Sequence, residues 1–182
     1  MFAALLNRRV RGQDVRGEKL YGAIVAAARR RALYRELGAP DTLPGRYELI
    51  VLHAALTLRR LRREDGPETD ALGQAIFDAM FRALDANLRE IGVGDLSVPK
   101  RIKQLARSFY DGAKAYDAAL DSGDETLLAD TIARIVLNGA AREGALGLAA
   151  YAIRSDRALE AQTLDRLVAD GPAFATIGEG SS

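Results

Sequence analysis

"TDALGQAIFDAMFRALDANLREIGVGDLSVPK", Thr69 to Lys100, is the stretch on which the fold turns. Its second half holds two glycines two apart, then a carboxylate, a hydroxyl and a lysine, the ingredients of a phosphate-cradling loop. Such a loop works when a strand delivers the turn to a helix N-terminus whose free N–H groups face the phosphates. Here Leu72, Ile76, Phe77, Met80, Phe81, Leu84, Leu88 and Ile91 recur at intervals of three and four, which is a helix stripe. Gly92 then stands where a left-handed residue ends a helix, and Pro99 suits the first turn of the next. Ser97 or Asp95 is the expected cap of that second helix. The stretch reads as a helix–loop–helix corner, and no nucleotide site is assigned to it.

The same period extends in both directions. Upstream, "EKLYGAIVAAARRRALYRELG" reads as one helix or two short ones stopped at Gly38, and "APDTLPG" is a turn. A helix from about Arg46 to Glu64 follows, apolar on nearly every side between Leu49 and Leu58, the pattern of a helix surrounded by others. Downstream, Ile102, Leu105, Ala106, Phe109, Ala113, Tyr116 and Leu120 repeat at helical spacing, and the segments "ETLLADTIARIVLNG" and "ALGLAAYAIRSDRALEAQTLDRLVADG" continue it. No run alternates with period two, β-branched residues are sparse, and no repeat recurs at a fixed spacing. The expectation is an all-α fold, a single compact bundle of about seven helices. It would have a basic and apolar segment over residues 1–17, a helical domain over 18–171 and a flexible tail over 172–182, with "EGSS" at its end.

Composition narrows the chemistry. A chain of 182 residues, 48% hydrophobic, supports one well-buried core. The net charge of +1 gives no bulk attraction to nucleic acid or an anionic membrane, so local clusters matter more than the sum. There is no cysteine, which removes disulfides, thiolate nucleophiles and thiolate metal sites, and is compatible with a reducing cytoplasm. With one histidine, imidazole-rich metal sites and relayed triads lack material. No metal or other cofactor is expected. The opening "MFAALLNRRVRG" is too short in its apolar run for a signal peptide; Phe2, Leu5, Leu6 and Val10 with Arg8, Arg9 and Arg11 fit either a membrane-surface turn or a docked helix.

Three groups of residues are candidates for a role. His53 lies mid-helix among Leu49, Leu52 and Leu56, where burial keeps the imidazole neutral. It reads as a satisfied core histidine, with a contact to haem as the alternative, since no second strong ligand stands at i+3 or i+4. Asp78 with Arg82 and Asp85 with Arg89 have the spacing of ion pairs along a helix, pairing rather than convergent acid–base chemistry. Finally, Arg59, Arg60, Arg62 and Arg63 close the apolar helix, while Lys100, Arg101 and Lys103 open a later one. The first cluster complements the helix dipole; the second opposes it and therefore points to an anionic partner, be it RNA phosphate, lipid headgroup or acidic protein.

These residues also carry a resemblance. "YRELGAPDTLPGRYELIVLHAALTLRRLR", then "QAIFDAMFRALDANLREIGVGDLSVPKRIKQLARSFY", with Tyr116 and "LAAYAIRSDRALEAQ" later, resembles the ubiquinol–cytochrome c chaperone family over about Leu20 to Gly171. The ordered string Tyr34, Gly38, Asp41, Thr42, His53, Phe77, Asp85, Gly92, Gly94 and Tyr110 carries it. The family often continues after the Phe-Tyr pair with glycine and a basic residue, where this chain has Asp111 and Gly112.

The resemblance implies an all-helical, non-enzymatic assembly chaperone for the respiratory cytochrome bc1 complex that binds newly made cytochrome b or another subunit. In mitochondrial members a small helical partner takes part near the ribosome's exit tunnel. Without their long N-terminal extension, this chain resembles a bacterial, alphaproteobacterial representative, cytoplasmic or peripheral to the inner membrane. A ribosome- or RNA-associated helical module, resting on the two basic clusters, is the alternative. An isoprenoid-type helical enzyme would need paired aspartate-rich motifs that the chain lacks.

Overall fold

The helix that is apolar on nearly every side is the one the others surround. In the computed structural model, which describes residues 2–139 and 142–178 and the side chains of 15–139 and 144–178, it runs as α3 from Leu43 to Arg62. Around it lie α1 (Phe2–Ala28), α4 (Pro67–Glu90), α5 (Val98–Ser122) and α7 (Arg142–Ala161), each packed against α3. The short α2 (Arg31–Arg35), α6 (Glu125–Ile135) and α8 (Leu164–Asp170) complete an all-α architecture, eight helices among the described residues. Leu49, Val51, Leu52, Leu56 and Leu61 of α3 are fully or nearly fully buried, each contributing about 2 kcal/mol over an exposed side chain. No helix among the described residues is long and apolar enough to cross a membrane.

Helix ends account for the differences from the expected boundaries. α3 starts at Leu43 rather than near Arg46, because Thr42 caps it, accepting from Gly45 N–H at 3.2 Å, and Pro44 fits the first turn. Gly45 is required there: a Cβ would lie 2.3 Å from the Pro40 carbonyl oxygen. The eighth helix arises because the first segment runs unbroken from Phe2 to Ala28, the chain then turns at Arg30, and the last helical segment divides at Thr163, which caps α8. α1 and α4 cross closely at Gly17, where an added Cβ would come within 2.5 Å of the Ala75 backbone. The side chains of Phe2, Leu5, Leu6, Arg8, Arg9, Val10 and Arg11 lie outside the described residues, as does "EGSS".

The corner that opened the sequence reading is there: α4 ends at Glu90, Gly92 is left-handed at φ +86°, and α5 begins at Val98. Ser97 takes the expected N-cap position of α5, but no side-chain cap forms. Asp95 instead accepts from Arg89. The expected pair of Asp85 and Arg89 is present at 2.7 Å, whereas Asp78 accepts from Gln74 and Arg82 reaches Glu18 on α1. Arg82 thus takes a tertiary partner, and Asp78 the neighbour one turn towards the start of the helix.

Residues 172–178, expected within a flexible tail, pack on the core. Phe174 meets His53 edge to face at 4.7 Å between ring centres, and Arg30 donates to the Ala175 carbonyl at 2.9 Å. Ala175 N–H donates to Ser155 Oγ at 3.2 Å, and Gln162 binds both Gly171 and Ala173. An aromatic and a set of side-chain hydrogen bonds fix a segment that has no periodicity to announce it.

Candidate functional site

His53 stands at the crossing of α3, α7 and the 172–178 segment, with no solvent exposure. Its Nδ1 donates to the Leu49 carbonyl at 2.7 Å, so Nε2 accepts, from the Tyr151 hydroxyl at 2.7 Å. Arg30 in turn donates to the Tyr151 hydroxyl. Burial above all pulls the imidazole pKa down to about 4, so the ring is neutral at physiological pH. Both ring nitrogens are occupied, which leaves no lone pair facing open space.

The four arginines that end α3 are placed against carboxylates of the same chain. Arg59 meets Asp121 at 2.6 Å, Asp117 at 3.5 Å and Asp156 at 3.3 Å; Arg62 meets Asp117 at 2.5 Å; Arg63 meets Asp156 at 3.0 Å and Glu160 at 3.4 Å. Arg60 is buried, donating to the carbonyls of Leu159 and Gln162 and to Glu64. Burial raises the Asp117 carboxyl, partly offset by Arg62 and Arg59, whereas the hydrogen bond from Arg59 holds Asp121 low. The cluster read as a partner-binding patch is thus a clamp joining α3 to α5 and α7. The sequence could not show this, since the carboxylates other than Glu64 lie some 55 to 97 residues further along.

Lys100, Arg101 and Lys103 are different. All three are exposed, with no ion pair among the described residues. At 100° per residue, Lys100, Lys103, Arg107, Tyr110 and Lys114 fall within one side of α5, a cationic stripe interrupted by Asp111. Tyr110, 60% exposed, borders both this stripe and an open groove between α3, α4 and α5. The groove, about 210 Å³, is lined by Leu58, Leu61, Gly73, Phe77, Phe109 and Tyr110 among others. Its aromatic wall is continuous: Phe77 lies 4.4 Å from Phe81, 5.6 Å from Phe109 and 5.4 Å from Tyr110, centre to centre. At the corner of the same helix pair, Ile91 is 64% and Leu96 98% exposed. Such a surface suits the apolar face of a partner helix, flanked by an acidic rim.

Sequence reasoning missed Glu48, a carboxylate held between α3 and α5. Ser108 donates to it, while its Oε2 and the nearby Tyr116 hydroxyl have no hydrogen-bond partner; burial lifts it to about 7. A lone acid immediately before an all-round apolar stretch was the available signal. Among the described residues, no group of three or more histidine, aspartate or glutamate side chains is arranged to hold a metal ion.

The family model described as "Ubiquinol-cytochrome C chaperone" matches residues 35–174. A solved structure, "Crystal structure of the Cbp3 homolog from Brucella abortus", is 35% identical, with all of each chain covered and a TM-score of 0.85. No curated protein matches. The family model spans α3 to the Phe174 segment, and the similarity to the Brucella abortus protein extends over the whole fold; the chain belongs to the ubiquinol-cytochrome C chaperone family.

Proposed function

We propose that this protein is an assembly chaperone of the respiratory cytochrome bc1 complex and that it holds newly made cytochrome b against the α4–α5 face. The observation that carries the reading is the open aromatic groove of Phe77, Phe109 and Tyr110, on a helix pair whose connecting corner exposes Leu96 and Ile91 and whose second helix opens with the unpaired Lys100, Arg101 and Lys103. A membrane protein before insertion presents apolar helix faces, which such a groove covers, and the cations meet acidic or lipid-proximal surfaces beside them. The work is holding rather than bond-making. Of the α3 arginines, only half-exposed Arg62 has reach to spare for a partner, and His53 serves the core. The chaperone would act in the cytoplasm, peripheral to the inner membrane where its client is inserted.

A photoreactive amino acid at Tyr110, compared with one at Arg166 on α8, tests the reading in the native host. Crosslinks to cytochrome b from position 110 alone are expected, along with loss of the cytochrome b absorbance when the gene is deleted. Normal spectra in the deletion strain, or equal crosslinking from both positions, refute it. The α5 stripe favours one second reading, contact with the ribosome. Charge reversal of Lys100, Arg101 and Lys103 would then abolish a salt-sensitive co-sedimentation.

A further inference from the structure

Where the end of α1, α2 and the start of α3 meet, four arginines line one recess. Arg29 follows the last turn of α1, Arg31 opens α2, Arg35 closes it, and Arg46 lies in the first turns of α3. With Tyr34 and Asp41 they enclose an open recess of about 520 Å³. Asp41 receives the Nε of Arg46 at 2.6 Å. Arg29, Arg31 and Arg35 have no carboxylate partner among the described residues. Four guanidinium groups against one carboxylate leave an excess of three positive charges in a protein whose whole net charge is +1.

The contrast with the end of α3 is informative. There, each arginine faces an acid of the chain; here, four arginines share the single carboxylate of Asp41, and Arg31 and Arg35 stand one helical turn apart, a spacing at which they repel. The recess is also preset. The Tyr34 hydroxyl donates to the Ala28 carbonyl at 2.9 Å, fixing the ring that forms part of the wall, and Arg46 is anchored through Nε with its two terminal nitrogens left over.

We propose that this recess binds a phosphate group, carried by a small phosphorylated molecule or by a lipid headgroup. The guanidinium fork matches phosphate oxygens in pairs, and a dianion compensates most of the excess charge. A concave site of this size takes one terminal phosphate or pyrophosphate more readily than an extended strand. Among the described residues of the recess, the one aromatic ring, Tyr34, is held in the wall rather than offered for base stacking.

The test is calorimetry of the full chain with inorganic phosphate and with pyrophosphate at constant ionic strength. Alongside it runs co-sedimentation with phosphatidylcholine vesicles, with and without phosphatidic acid. Arg31→Gln/Arg35→Gln is compared with Lys19→Gln/Lys114→Gln, which removes the same charge from α1 and α5. One saturable site for pyrophosphate is expected, weakened at least about tenfold by the arginine pair and unchanged by the lysine pair. Vesicle capture through the same arginines assigns the lipid source, and binding in solution alone assigns the small molecule. No saturable site, equal loss in both variants, or binding of single-stranded RNA alone overturns the proposal. If the arginine variant misfolds, amide shifts of the wild type on adding pyrophosphate decide: they are expected within Arg29–Arg46, and their absence there refutes the site.

Discussion

Replacing Glu48 by glutamine makes the stability of this protein less dependent on pH, in a calculable direction. In the folded chain the carboxyl is lifted by burial from 4.5 to about 7. The unfolded chain releases that proton near the ordinary value, so between about 4.5 and 7 the native state binds a proton that the unfolded state has lost. Stability therefore falls as pH rises through this window and is flat above it. At 1.36 kcal/mol for each pH unit, the interval bounds the effect at about 3 kcal/mol, and the solvent that still reaches the side chain brings it to about 2 kcal/mol.

Glutamine keeps the shape of the protonated acid at every pH. The variant should thus gain about 2 kcal/mol on the wild type between about pH 5 and pH 8.5. Tyr47 and Tyr116, both raised by burial, stay protonated throughout. His53 titrates alike in both proteins, so its contribution cancels in the difference. Urea unfolding followed by far-ultraviolet circular dichroism, with an unchanged denaturant slope, measures the gap. A gap that does not widen with pH, or a variant less stable than wild type at the upper pH, refutes the reasoning.

Arg59→Gln is expected to cost about 2 kcal/mol, since it leaves the partly buried Asp117 and Asp156 without that cation, while Lys103→Gln leaves the thermal midpoint unchanged; equal effects would sink the clamp. His53→Ala should lose about 3 kcal/mol through a cavity and two broken hydrogen bonds, measured by urea unfolding. Haem titrated into the wild type and His53→Ala should give superimposable Soret curves; a histidine-dependent shift would contradict the core role. Gly17→Ala should destabilise by about 2 kcal/mol by pushing α1 off α4, whereas Gly22→Ala, with nothing within 4 Å of the new Cβ, should raise the thermal midpoint slightly.

What the sequence disclosed is what local periodicity encodes. The stripe from Leu72 to Ile91 made α4, and the glycine after it took the left-handed conformation required to end a helix. The run from Leu49 to Leu58 foretold a helix enclosed on all sides. Pairings across the fold were hidden. Arg59 and Asp121 are 62 residues apart, and His53 and Tyr151 are 98 apart, so no spacing rule links them. Position on a helix end gave the α3 arginines a sufficient local reason, the dipole, which concealed their tertiary one. Lys100, Arg101 and Lys103 stood out in the sequence because their placement opposes the helix dipole. The recess of arginines combines α2, α3 and the turn after α1, and only the folded chain assembles it.

The seating of Phe174 and Ala175 sets an order on biosynthesis. Arg30 emerges early, yet its acceptor at Ala175 is made 145 residues later. A nascent chain halted at Gly171 would already hold all eight described helices, but Arg30 and Ser155 would lack their Ala175 contacts and the His53 ring would be uncovered on one edge. Maturation of this chaperone is thus completed by a helix-free latch, and truncation just before it should yield a helical but loosened molecule.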